Sequence, residues 1–115
     1  MHSRSWIQLL NDLVDAIERI ASYTDGMTPE AFAEDQKTID AVVRNLIVIG
    51  EETNRMPQNV TEENPFIPWS QMRGLRNLIV LEYFRIDPAI LWTTIEHDLI
   101  PLLTLLKDMQ PDNSN

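Results

Sequence analysis

Three polar residues within five positions, Arg73, Arg76 and Asn77, stand ahead of a tyrosine, Tyr83, and supply the groups that an anion site requires. A guanidinium presents a planar fork of N–H donors that matches a phosphate or carboxylate, and an Asn amide can orient whatever the fork holds. On an α-helix each residue advances by about 100°. Arg76 and Tyr83, seven apart, therefore nearly superimpose in projection, and Arg73 lies one turn before Arg76 on the same side. Asn77 and Leu81, four apart, form an adjacent row.

Charge distribution supports the same reading. From Arg73 to Arg85 there are three Arg and one Glu, a local +2 in a chain of net charge −9, which leaves −11 elsewhere. A strongly acidic body is poorly suited to general nucleic-acid binding, because phosphate contacts need positive charge where they occur. A confined basic segment meets that need, although three arginines on one helix can equally be solvated side chains.

The elements that must position these residues are helical. Trp6, Leu9, Leu10, Leu13, Val14, Ile17 and Ile20 follow helical spacing, and Asp25-Gly26 closes that first helix. Thr28 and Pro29 read as cap and first residue of a short helix through Ala33. A third helix is expected over about 36–55, burying Ile39, Val42, Val43, Leu46 and Ile49, with Pro57 as its stop. Gly50 lowers helix propensity within it, so close packing against a neighbouring helix is its best justification. The segment 57–68 holds three of the seven prolines and reads as a connection with one helical turn near Val60 to Glu63.

The arginine-bearing helix is expected over 68–84. A last helix starts from Asp87 as cap and Pro88, with Trp92, Ile95, Leu99, Leu102, Leu106 and Met109 inward and Pro101 kinking it. Without strand-like alternation or internal repeats, the fold class is all-α: an up-and-down bundle of four to five helices. Residues 1–110 are expected to form a single domain, with a frayed tail over 111–115. Apolar runs such as Leu46 to Ile49 are short, and the N-terminus lacks a signal-peptide core, so a soluble cytoplasmic protein is expected. The chain has no cysteine, which removes disulfides, thiolate metal sites and a Cys nucleophile.

The stretch Met72 to Phe84, MRGLRNLIVLEYF, resembles the motif of the HEPN superfamily, specifically its HepT-like toxin branch. There an Arg-Asn pair is followed by three residues, a His, one residue and a Tyr. Arg76, Asn77 and Tyr83 keep that spacing, and Leu81 stands at the His position. The likeness extends along the chain through the Asp12 to Ile20 run, the Thr38 to Glu51 stretch, Ile67-Pro68-Trp69 and the segment from Asp87 to Leu102.

That resemblance implies a homodimer whose clefts cleave RNA without a metal or other cofactor. It also implies an MntA-like minimal nucleotidyltransferase antitoxin that adenylylates the tyrosine, here Tyr83. Attack of a ribose 2′-hydroxyl on phosphorus needs a proton acceptor, a proton donor and positive charge on the developing phosphorane. Arginine supplies the charge, here Arg76 and Arg73, while histidine near its pKa supplies the proton transfers. Leu81 can neither hold nor pass a proton. The expected consequence is a HepT-like ribonuclease scaffold that is inactive in this copy; the alternative is a non-catalytic helical partner of a minimal nucleotidyltransferase.

Other groups substitute poorly for the histidine. His97 is a lone His on the last helix and reads as a surface residue, and His2 is terminal. Glu82 points about 100° from residue 81 and would repel phosphate. Glu51 and Glu52 have no second cluster at ligand spacing, so no metal site is expected.

Overall fold

A computed structural model describes residues 5–82 and 85–109. The first helix, α1 (Trp6–Thr24), begins at a capping box in which the Ser5 hydroxyl accepts from the Gln8 N–H and the Gln8 side chain accepts from the Ser5 N–H. Its apolar stripe, including Leu10, Leu13, Ile17 and Ile20, is fully buried. Gly26 follows with φ of 76°, a left-handed backbone that Gly adopts without steric penalty, and the chain turns. Thr28 then caps α2 (Pro29–Ala33) by accepting from the Ala31 N–H at 3.0 Å. Buried Phe32 of α2 meets Trp92 with ring centroids 5.4 Å apart.

The central element is α3 (Gln36–Asn54), packed against α1 on one side and α5 (Trp69–Glu82) on the other. Asp35 caps it, accepting from both the N–H and the hydroxyl of Thr38. These donors hold the Asp35 carboxyl below its ordinary value, because they favour the ionised form. Between α3 and α5 the proline-rich connection contains α4 (Gln58–Glu63). It delivers Trp69, buried at the start of α5, whose indole N–H donates to the Asn64 carbonyl at 2.9 Å.

Asp87 and Pro88 open the last helix as the sequence requires, with the Asp87 side chain accepting from the Ala89 N–H. The helix runs as α6 (Pro88–Thr93), a π-helical turn (Thr94–Leu99) and α7 (Leu102–Asp108). Where a kink is expected at Pro101, the helix carries this wide turn, in which the Ile100 N–H donates to the Ile95 carbonyl five residues back. Proline has no N–H and crowds the carbonyl four residues earlier, so a widened turn relieves both conflicts.

Among the described residues, Pro88–Asp108 is the one helix long and apolar enough to cross a bilayer, longer than the apolar runs weighed from sequence. It is nevertheless two-sided. Leu91, Ile95, Leu99, Leu102 and Leu106 are buried in the bundle, while Glu96, His97, Asp98, Lys107 and Asp108 are exposed. Lys107 also pairs with Glu18 of α1 at 3.0 Å. Among the described residues the result is an all-α bundle of four long helices, α1, α3, α5 and α6–α7, with α2 and α4 as short additions. The sequence-derived tail, 111–115, lies outside the described residues.

Candidate functional site

The site is built where α3 and α5 approach most closely. A Cβ placed on Gly50 would sit 2.6 Å from the backbone nitrogen of Arg76 and 3.0 Å from its Cβ. Only a glycine tolerates that proximity, so Gly50 fixes where along α3 the arginine enters. The close packing expected of Gly50 is thus present, and its partner is the arginine itself.

Beside this contact an open cleft of roughly 300 Å³ is lined by Arg73, Arg76 and Asn77 from α5 and by Gly50, Glu51, Asn54 and Arg55 from the end of α3. Three of the sequence-derived residues therefore come together as the helical projection requires. Arg76 Nε pairs with Glu51 Oε2 at 3.3 Å, both side chains about half exposed. Arg55, the C-cap residue of α3, donates from Nη1 to Glu52 Oε1 at 2.7 Å, and that carboxylate is nearly buried. Arg73 is half-buried and forms no ion pair among the described residues.

Leu81 is 78% exposed, on α5 one turn beyond Asn77. An aliphatic side chain so placed does nothing for this chain's own core. It belongs with Leu78 and Val80 as a set of exposed apolar residues on the same helix. Val80, with Ile79 and with Val43, Ile47 and Val48 of α3, lines a second groove that also holds Asp40, Arg44 and Glu51. Tyr83, the proposed modification site, lies outside the described residues.

The remaining sequence candidates are placed elsewhere. His97 is exposed and lines a groove between the start of α5 and the last helix that shares no residue with the arginine cleft. Glu51 faces Arg76, and Glu52 faces Arg55, so each serves as a counter-charge to a guanidinium. No group of three or more His, Asp or Glu at metal-binding distance occurs among the described residues.

Spacing within α5 alone could not have found Asn54, Arg55 or the Glu51 pairing. The signal was Gly50: a glycine at the closest approach of two helices means that residues one and four to five positions later flank whatever the partner helix presents.

The fold is an all-α helical bundle in which α3 and α5 approach closely beside an arginine-lined cleft. The chain belongs to the HepT-like ribonuclease family, whose model, described as Ribonuclease HepT-like, matches residues 13–109. It is 36% identical over 96 residues to a protein of Thermococcus cleftensis named "Probable ribonuclease HepT", covering 84% of this chain and 87% of that one. It is 31% identical over 110 residues to a Methanocaldococcus jannaschii protein named as a candidate RNase, covering 92% and 91% of the two chains. A Caldanaerobacter subterraneus protein, also named as a candidate RNase, is 28% identical over 100 residues, covering 87% and 89%. No solved structure gives a significant match.

Proposed function

We propose that this chain is the toxin-type subunit of a HEPN and minimal nucleotidyltransferase pair, a cytoplasmic homodimer that binds RNA in the arginine cleft but has lost cleavage. The observation that carries the reading is the convergence of Arg73, Arg76 and Asn77 on one cleft, with Leu81 continuing the Asn77 row into solvent. In this reading Arg76 and Arg73 hold the phosphate and Asn77 orients it. Leu81 occupies the place of the acid–base group, and Tyr83 is the residue that an MntA-like antitoxin adenylylates. Phosphate added to it would bring negative charge to the arginine-bearing segment and oppose RNA binding.

Dimerisation is supported by the exposed Val80 at the Ile47 and Val48 groove and by the exposed Leu78 and Leu81 elsewhere on α5, apolar surface that a second copy would cover. Pairing through that face would set the α5 helices of two copies near one another and make one groove from two clefts.

The direct test is binding of an uncleavable, 2′-O-methylated RNA to the purified chain and to Arg76→Gln. Loss of a charge-assisted phosphate contact costs about 1.5–3 kcal/mol, so binding should weaken tenfold or more. Equal binding by both proteins removes Arg76 from the site. The second reading, a non-catalytic partner of a nucleotidyltransferase, rests on Leu81 and separates from the first by its outcome. It predicts a stable complex with that enzyme and no RNA affinity in either protein.

A further inference from the structure

Arg55 lies outside the motif, yet it lines the same cleft as Arg73 and Arg76. Its side chain is 61% exposed, whereas the Glu52 carboxylate that holds it is only 10% exposed. The contact employs one Nη, so the other donors of the guanidinium remain available to a ligand. The buried carboxylate acts as a mount: it orients Arg55 and is poorly placed to leave. The Arg76 pair differs, since both Arg76 and Glu51 are about half exposed and an arriving phosphate can displace the carboxylate.

The two guanidiniums are held by neighbouring carboxylates of α3, Arg76 by Glu51 and Arg55 by Glu52, which project about 100° apart around the helix axis. One guanidinium fork suffices for one phosphate. Two separately held forks in one cleft, with the Asn54 and Asn77 amides lining it as well, suit two neighbouring phosphates of one strand. Resting on the reading that the cleft takes RNA, we infer that Arg55 is a second phosphate-binding residue, holding the phosphate next to the one at Arg76. The ligand class is then a strand with at least two consecutive phosphodiesters, and a mononucleotide or free phosphate binds poorly.

The experiment is salt-dependent binding of a 2′-O-methylated ten-nucleotide RNA to the purified chain and to Arg55→Gln, Arg55→Lys and Arg19→Gln. For single strands, log affinity falls with log salt by about 0.7 per neutralised phosphate. Arg55→Gln should lower that slope by about 0.7 and weaken binding about tenfold at low salt. Arg55→Lys keeps the charge and the Glu52 partner, so it should retain the slope. Arg19 is paired with Asp15 on α1, away from the cleft, and its replacement should leave the slope unchanged.

If the wild type binds and Arg55→Gln matches it in affinity and slope, Arg55 has no such role although the cleft reading survives. A slope lost equally in Arg55→Lys and Arg55→Gln assigns the effect to packing, and one lost in Arg19→Gln assigns it to general charge; either overturns the inference. A folded wild-type chain with no affinity for the RNA overturns both the inference and the reading beneath it.

Discussion

Helices α1 and α5 show how differently two segments of one small bundle can use apolar residues. In α1 the apolar stripe from Leu9 to Ile20 is buried, and only Ile7 and Tyr23 near its ends are exposed. In α5 only Trp69, Met72 and Ile79 are buried, while Leu78, Val80 and Leu81 stand in solvent on the helix that carries the arginines. A helix that serves only the fold can satisfy one amphipathic pattern. A helix that must both hold a core and line a cleft divides its surface, and its pattern weakens accordingly.

Substitutions at equivalent leucines test this contrast most strongly. Leu13 is fully buried, so Leu13→Ala should lose about 2–5 kcal/mol in chemical denaturation. Leu78 is 54% exposed, and Leu78→Ala should stay within about 0.5 kcal/mol for the isolated chain. If α5 pairs two copies, the same change should instead shift sedimentation from about twice 13.3 kDa towards the single-chain mass. A fully monomeric wild type would break that half of the comparison.

Gly50→Ala comes next. Helix propensity favours Ala by about 1 kcal/mol, but the new Cβ would be 2.6 Å from the backbone of Arg76, which cannot rotate away. The clash should win, giving a net loss of roughly 1–3 kcal/mol by thermal unfolding. RNA affinity should fall along with it, because α5 must move to accept the methyl group.

The smallest effect is acid-dependent. The Thr38 donors lower the Asp35 pKa from its ordinary 3.8, so Asp35 contributes stability above that pH and loses it as the pH falls through the folded-state value. Asparagine also caps helices but does not titrate. Asp35→Asn should therefore flatten the acid limb of the stability curve and leave neutral stability nearly unchanged, as read from denaturation midpoints across pH.

The same contrast explains what could be read from the residues alone. α1 and the caps at Thr28 and Asp87 were legible, because they depend on local rules: a periodic stripe, a side-chain acceptor, a proline in the first turn. The row of Arg73, Arg76 and Asn77 was legible for the same reason, being a property of one helix. Arg55 was not, since its role depends on which face of α3 meets α5, a tertiary fact signalled only by Gly50. The π turn before Pro101 was half legible: proline announces a conflict, but packing of Ile95 and Leu99 into the core decides how the helix absorbs it.

In the proposed function, Leu81 silences an otherwise assembled RNA-cleaving cleft. Leu81→His, assayed on single-stranded RNA without added metal, measures it most directly, with Leu81→His/Arg76→Gln as its partner. General acid–base catalysis contributes about 10²–10⁴-fold, so the single variant should cleave RNA faster than the wild type by about that factor, and the double variant should not. A folded Leu81→His protein that binds RNA and leaves it intact would contradict the account.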